Sequence, residues 1–432
     1  MGVIAKVALG VLVISFMTFV AFFGRLPALR HTPIAWLHRL IWVYIPNGVF
    51  TVDRSLTGGR LTSSAGAAGH YIWYGRHPTV LIFYILLLSV GEYLYLPGAW
   101  PRLSGFQRVV SGVAVVLPYV FLYLAAFGDP GVITPETHAR YMSLYPYDYT
   151  LFHPGQECRT CHLPKPARSK HCAVCKRCVA RADHHCVFIN NCVGYGNQHW
   201  FLLLLLSTGL LTAYGGWLGL GLVAENARAS ASPSRPAAAA SFALWKQGSM
   251  SWNEYFVLLS LGIQRDVGLG AVTLLAAMTS PLVWGLLGYH VYLVYCGTTT
   301  NESMKWQDWQ AEMDDGFAFR RRLPPLPRQS QSRSHWTRWP VESAQILVRT
   351  LDGQPPNDPS LPGEGEWEHV WHLRDIENIY DIGFWDNLID ICVPGYSFRA
   401  EAPSDLERGR RRAGKKRKTK AQRGAGFVAK AT

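Results

Sequence analysis

Blocks of apolar residues long enough to cross a bilayer constrain this chain before anything else does. A helix needs about 20 consecutive apolar residues to span the hydrocarbon core. Runs near or above that length stand at residues 3–23, 79–96, 109–127, 200–224 and 269–295. Composition agrees, with 49% hydrophobic and 16% charged residues, a charge content low for a soluble protein. The expected fold is therefore an α-helical polytopic membrane protein with about five transmembrane helices. The first block follows Lys6, as a signal peptide would. It is longer than a signal core, however, and Arg25 follows it in place of a small-residue cleavage site, so it reads as a retained anchor. Pro281 inside the last block is tolerated in a membrane bundle.

Cationic residues set the expected orientation, because cytoplasmic loops carry an excess of Lys and Arg. Arg25, Arg30, Arg39, Arg54, Arg60 and Arg76 lie between the first two blocks against the single acid Asp53, whereas the turn after the second carries only Arg102 before Arg108. Alternation then places residues 128–199 and everything after Gly297 in the cytosol, with a loop from about 225 to 267 on the other side. Within that loop, the Ala/Ser/Pro-rich residues 226–241 read as a flexible linker. The net charge of +13 is concentrated in the tail at 408–423. Beside a membrane bundle such a run reads as attracted to anionic lipid or simply solvated, and no nucleic-acid partner is expected.

Seven of the nine cysteines fall between Cys158 and Cys192; Cys296 and Cys392 stand apart. In a reducing cytosol this density points to metal rather than disulfides. The order is Cys158-x-x-Cys161, His171-Cys172-x-x-Cys175-x-x-Cys178, Asp183-His184-His185-Cys186, then Cys192. With His162 set aside as a bystander beside Cys161, the cluster offers seven Cys and three His. Two closed tetrahedral zinc sites consume four ligands each, leaving two groups over. The natural leftover pair is a thiol and an imidazole, and a cysteine beside a histidine with a carboxylate to orient the ring makes a thiolate nucleophile. A purely structural reading instead makes every one of these residues a ligand or filler of a zinc-built interaction module.

The motifs around this cluster resemble those of the DHHC-type palmitoyltransferases. The similarity rests on Cys158-Arg-Thr-Cys161, the run from Lys165-Pro-Ala-Arg168 to His171-Cys172, Asp183-His-His-Cys186, and Asn191-Cys192-Val-Gly194. It extends to Asp129-Pro-Gly131 after the third block, Thr299-Thr300-Asn301-Glu302 after the last, and Asn378-Ile-Tyr-Asp-Ile-Gly383. The resemblance covers about residues 79–390, with every motif in order at its membrane position. It implies one zinc on Cys158, Cys161, His171 and Cys178 and a second on Cys172, Cys175, His185 and Cys192. It leaves Cys186 as nucleophile toward palmitoyl-CoA, with His184 as general base oriented by Asp183. Thr299, Thr300, Glu302, Asp129 and Asn378 are implied to support the site, and Lys165, Arg168 and Lys170 to meet the phosphates of CoA. The alternative from another class is a membrane-anchored zinc scaffold without activity, which has no need of the Asp-His-Cys constellation.

Many family members have Pro-Trp after the motif cysteine, where this chain has Val187-Phe188. That dipeptide, the extra N-terminal block and Asn190–Asn197 resemble the fungal spore-wall-formation branch. The branch implies an endoplasmic reticulum enzyme acting on membrane proteins with cytosolic cysteines beside their spans. The expected domains are an anchor at 1–24, a cytosolic loop at 25–78, a membrane hairpin at 79–127 and a small cytosolic two-zinc cysteine-rich domain at 128–199, inserted between the third and fourth spans. A second hairpin at 200–296, a cytosolic C-terminal domain at 297–398 and a basic tail at 399–432 complete the chain. Trp367, Trp371, Phe384 and Trp385 suggest a segment on the bilayer surface or packed on the domain.

Overall fold

The computed structural model describes residues 16, 17, 20, 32–230, 252–324 and 343–394. Nearly all of the block at 3–23 and the whole basic tail at 399–432 lie outside the described residues. The chain divides into two compact units, Met1–His77 and Pro78–Thr432.

In the first unit, residues 25–78 were expected as a loop, and their described part is instead helical. Helix α1 (Pro33–Arg39) runs through a π-helical turn at Leu40–Tyr44 into α2 (Ile45–Thr57). Gly58 and Gly59, at φ of 69° and 85°, break the helix, and α3 (Arg60–Tyr74) follows. Asp53, 6% exposed, ties the break together. Its carboxylate accepts from the Thr57 hydroxyl and from the Thr62 N–H and hydroxyl at 2.7 and 2.6 Å. These bonds satisfy helix-end donors locally, which is why a segment rich in Gly, Ser and Ala still holds helical form.

Four helices of the second unit are long and apolar enough to cross a membrane: Thr79–Arg102, Gly105–Phe127, Gln198–Ser230 and Val267–Tyr295. We label them α4 (Thr79–Ala99 with a terminal 3-10 turn), α5, α7 and α9; the short α6 is Pro135–Met142. Their outer faces expose Phe83, Leu86, Phe106, Val109, Trp217, Met278 and Leu282. So much exposed apolar surface on long helices has lipid as its natural solvent, making this a multi-pass membrane protein. Helix α7 is central, packing on α5, α9 and α8 (Trp252–Arg265), while α4 packs on α9. A Cβ at Gly219 of α7 would fall 2.1 Å from the Thr273 hydroxyl of α9, so the glycine permits the close crossing.

Two expectations about the connection after α7 are corrected. Residues 226–230 continue the helix, and Asn226 is buried, accepting from Arg102 at 2.8 Å. Residues 252–265 form α8 rather than loop, and this helix packs against α7.

Between α5 and α7 lie two small antiparallel hairpins, β1 (Lys170–Cys172) with β2 (Arg177–Val179) and β3 (His184–Cys186) with β4 (Asn191–Val193). Helix α10 (Thr300–Asp314) follows α9 after a tight turn at Gly297. A three-stranded antiparallel sheet follows, β5 (Ala318–Arg322), β6 (Gln345–Arg349) and β7 (Glu364–His369), in the order β6-β5-β7. Its core is Met313, Ala318, Leu347 and Val370. Helix α11 (Phe384–Cys392) closes the described chain. Of the aromatics suspected of surface association, Trp371 and Trp385 are 51% and 70% exposed, while Trp367 packs under the Arg321 guanidinium.

Candidate active site and metal centres

The hairpins sort the cysteine cluster by strand geometry. Successive side chains of a strand point to opposite faces. In β1, His171 therefore turns to one group of ligands and Cys172 to another. The first group is Cys158, Cys161, His171 and Cys178; the second is Cys172, Cys175, His185 and Cys192. These are the two quartets that the resemblance implies. Within the first, the His171 Nδ1 lies 3.4, 3.4 and 3.7 Å from the three sulfurs. Within the second, the His185 Nδ1 lies 3.8, 3.4 and 3.7 Å from its sulfurs. A tetrahedral zinc at ordinary Zn–S and Zn–N lengths has ligand–ligand edges of about 3.6 Å. Both quartets fit such an ion, and His162 belongs to neither.

The same alternation in β3 turns His185 toward its quartet and leaves His184 and Cys186 on the opposite face. The His184 Nδ1–H donates to Asp183 Oδ2 at 2.6 Å. Asp183 has no exposed side-chain surface, whereas His184 keeps 30% of its own open. Burial works against the charged ring, yet hydrogen bonds to Asp183 and Cys186 override it and lift His184 to about 9. Asp183 is held below the ordinary carboxylate range in spite of its burial, chiefly by His184.

Helix α10 supplies the brace. The Thr300 N–H donates to Asp183 Oδ1 at 2.5 Å and its hydroxyl to Oδ2 at 3.1 Å. Thr299 caps the helix in a capping box with Glu302, and its hydroxyl donates to the Ala182 carbonyl at 3.3 Å. Glu302 reaches further. Its two oxygens accept from Arg168 Nε and Nη2 at 2.7 and 2.6 Å, and Arg168 also donates to the Gly297 carbonyl at 3.0 Å. Tyr145 and Tyr380 cover the guanidinium at 5.0 and 4.5 Å.

That arrangement corrects one sequence expectation. Arg168, expected beside Lys165 and Lys170 as a phosphate contact, is 4% exposed with its donors engaged by Glu302 and Gly297. Lys165 and Lys170 do line a common cavity of about 370 Å³, and its further cation is Lys305, one turn along α10 from Asn301. The Lys305 ammonium sits 4.1 Å above the Phe152 ring, and burial lowers its proton affinity.

The remaining motif residues anchor the domain to the membrane helices. Asp129 accepts from the N–H groups of Gly131 and Val132, shaping the exit from α5. The Asn378 amide donates to the Cys296 carbonyl and the Asn387 amide to the Val294 carbonyl, both at 2.9 Å, capping the end of α9. Sequence reasoning missed the roles of Asn191 and Asn197. Their amides donate to the Ala125 and Ala126 carbonyls at the end of α5. It also missed Arg181, which pairs with Asp390 of α11 at 2.6 Å. Two asparagines in a segment without helical periodicity are the signal that could have drawn attention to capping. Gly196 between them allows the backbones to meet, since a Cβ there would lie 2.2 Å from the Asp129 carbonyl.

Cys186 itself is 8% exposed and packs with Leu122, Ala125, Ala126, Ile189, Val193, Phe201 and Leu204 of the membrane helices and hairpin. Phe188 projects from the same hairpin and meets Tyr84 of α4 edge-on at 6.1 Å.

A small domain carrying two quartets fit for metal, set into a helical membrane bundle with Asp, His and Cys aligned at their junction, defines a class. The chain belongs to the DHHC palmitoyltransferase family, whose model matches residues 151–307. It is 58% identical over 429 residues to palmitoyltransferase SWF1 of Neurospora crassa, covering 95% of this chain and 99% of that one. Against palmitoyltransferase swf1 of Emericella nidulans the identity is 43%, covering 90% and 97% of the two chains. Against the Schizosaccharomyces pombe protein of that name it is 32%, covering 89% and 95%. The full-length likeness is thus to the fungal SWF1 group, the branch that the motifs resembled.

Proposed function

We propose that this protein S-palmitoyltransferase carries the acyl group as a thioester on Cys186, taking it from palmitoyl-CoA and passing it to cysteines of membrane proteins. The observation that carries this reading is the alignment of Asp183, His184 and Cys186 at the junction of the hairpin with the apolar helices. A raised His184 takes the thiol proton and holds it, so the sulfur is presented as thiolate beside an imidazolium. The thiolate attacks the thioester carbonyl carbon; the bond from carbon to the CoA sulfur breaks, and His184 returns its proton to the departing CoA thiolate. In the second half the incoming cysteine gives its proton to His184, attacks the Cys186 thioester and releases the Cys186 thiolate.

The cavity lined by Lys165, Lys170 and Lys305 suits the phosphates of CoA in charge and in size. Apolar side chains around Cys186 on α5 and α7, with Leu81, Tyr84, Phe121 and Trp200 against them, suit the acyl chain. Burial there contributes about 0.8 kcal/mol per methylene. Zinc, held by the two quartets, would supply folding energy to a domain with little aliphatic core. The cytosol is the compartment that supplies acyl-CoA and keeps these thiols reduced, and the fungal likeness suggests the endoplasmic reticulum membrane.

The test is autoacylation of the purified full chain with an alkynyl palmitoyl-CoA, alongside Cys186→Ala, with zinc content measured in both. Hydroxylamine-sensitive label on the parent and none on a zinc-replete variant is the expected result. Undiminished label on the variant removes Cys186 as the nucleophile.

A further inference from the structure

Helix α9 passes close to the reactive hairpin before it ends at Tyr295, and it turns one ionisable side chain inward. His290 is 3% exposed. Its Nδ1 has no hydrogen-bond partner, and Asp183 Oδ2 lies 4.0 Å away. Its ring stands 5.8 Å from that of His184, tilted by 32°, and 5.1 Å from the Phe201 ring, which it meets edge-on. Ionisable groups inside membrane spans are costly, and they face the bundle interior where they have work to do. A buried nitrogen without a partner is costly as well. The carboxylate within reach would relieve that cost by a closure of about 1 Å to ordinary hydrogen-bond length.

A packing role alone leaves the polar ring unexplained, since Leu or Phe would fill the same space beside Phe201. A cation shared by Asp183, His184 and His290 is disfavoured, because the His184 Nδ1–H is already given to Asp183 and would be lost. Hydrogen bonds at a reacting centre are often long in the free enzyme and shorten in the complex.

We infer that His290 is a positioning residue whose Nδ1–H donates to Asp183 during acylation. The carboxylate that orients His184 is then held from three elements: β3 through His184, α10 through Thr300, and α9 through His290. A span of the membrane bundle is in this way coupled directly to the orientation of the catalytic imidazole. The inference rests on the roles proposed for Cys186, His184 and Asp183.

The test measures single-turnover autoacylation of the full-length protein with palmitoyl-CoA. It compares the parent with His290→Asn, His290→Gln and His290→Leu, with zinc content followed throughout. Asn places an amide nitrogen where Nδ1 stands, Gln places it near Nε2, and Leu keeps bulk without a donor. Loss of this bond to a charged group should lower the maximal rate about tenfold in the Leu and Gln variants. The KM for palmitoyl-CoA should hold within about twofold, and Asn should recover most of the rate. A Leu variant as fast as the parent overturns the inference. So do Asn and Gln variants that lose the same activity while zinc content is unchanged. Should the Leu variant lose zinc, the Asn and Gln pair still decides, because both keep polarity and differ only in where the donor stands. Cys186→Ala is run in parallel; label on that variant would sink the underlying assignment rather than the role of His290.

Discussion

Glu302 is the residue whose loss should separate a buried ion pair from a surface one most clearly. Its carboxylate and the Arg168 guanidinium have side chains only 2% and 5% exposed, joined by two short charge-assisted bonds. Glu302→Gln keeps the volume but replaces one acceptor oxygen by a donor facing Arg168, so a buried cation is left without its counter-charge. Breaking one side of such a pair costs about 3–5 kcal/mol. The capping-box bond from the Thr299 N–H is one that Gln can keep through its remaining oxygen, so it adds nothing to this cost. The ion-pair term alone approaches the whole stability of many domains, about 5–15 kcal/mol. By contrast, the Arg349–Glu312 pair is 67% and 27% exposed, and its removal should cost about 0–1 kcal/mol. Thermal unfolding in detergent, with zinc release and autoacylation followed on the same samples, gives the comparison. We expect Glu302→Gln to unfold at markedly lower temperature and lose activity as α10 releases Asp183, while Arg349→Ala behaves as the parent. Arg168→Met combined with Glu302→Leu should recover much of the loss, since two apolar side chains leave no charge buried. Parental unfolding temperature and zinc content in Glu302→Gln would refute the reasoning, as would an equal loss in Arg349→Ala.

Two further outcomes follow from the cysteine-rich domain. Replacing Lys165, Lys170 or Lys305 with Glu should raise the KM for palmitoyl-CoA several-fold, less so at high salt, with a smaller effect on maximal rate; unchanged KM in all three would remove the cavity as the CoA site. Asp148 is fully enclosed, and burial lifts its carboxyl to about 6 although the N–H groups of Thr150, Leu151 and Phe152 all donate to it. Between about pH 4 and pH 6 the unfolded chain releases a proton that the folded chain keeps, so this group costs stability as pH rises through that window. Asp148→Asn keeps the acceptor and removes the charge; its gain in unfolding temperature over the parent should be larger at about pH 7.5 than at about pH 5, and the reverse order would contradict the assignment.

How much of this was legible beforehand depends on how local each determinant is. Apolar runs of span length are contiguous, and four of the expected blocks stand as membrane-length helices; at α5 and α9 the start is set by a capping side chain that hydropathy does not count. Ser104 is such a residue, closing a capping box with Gln107 at the start of α5. Cys-x-x-Cys spacing is local too, so the ligand types could be counted. The split of β3, with His185 toward its quartet and His184 and Cys186 on the other face, follows from a strand period of two only once the hairpin is in view. The helices at 33–74 and 252–265 were not legible. Their boundaries rest on glycine breaks and on contacts of Asp53 and α7 that composition does not report.

The sequence by itself determined the membrane class and the Cys/His inventory of the metal clusters, because apolar length and thiol spacing are written in consecutive residues. Tertiary structure alone decided that Arg168 serves Glu302 rather than a phosphate, that Lys305 joins the cavity, and that His290 faces Asp183. Arg168 and Glu302 are 134 positions apart, and Asp183 and Thr300 are 117. Over such separations no periodicity links two side chains. Whether a cation meets solvent, a ligand or a buried carboxylate is settled only when the helices that carry them pack, because burial sets the cost of leaving the charge unpaired.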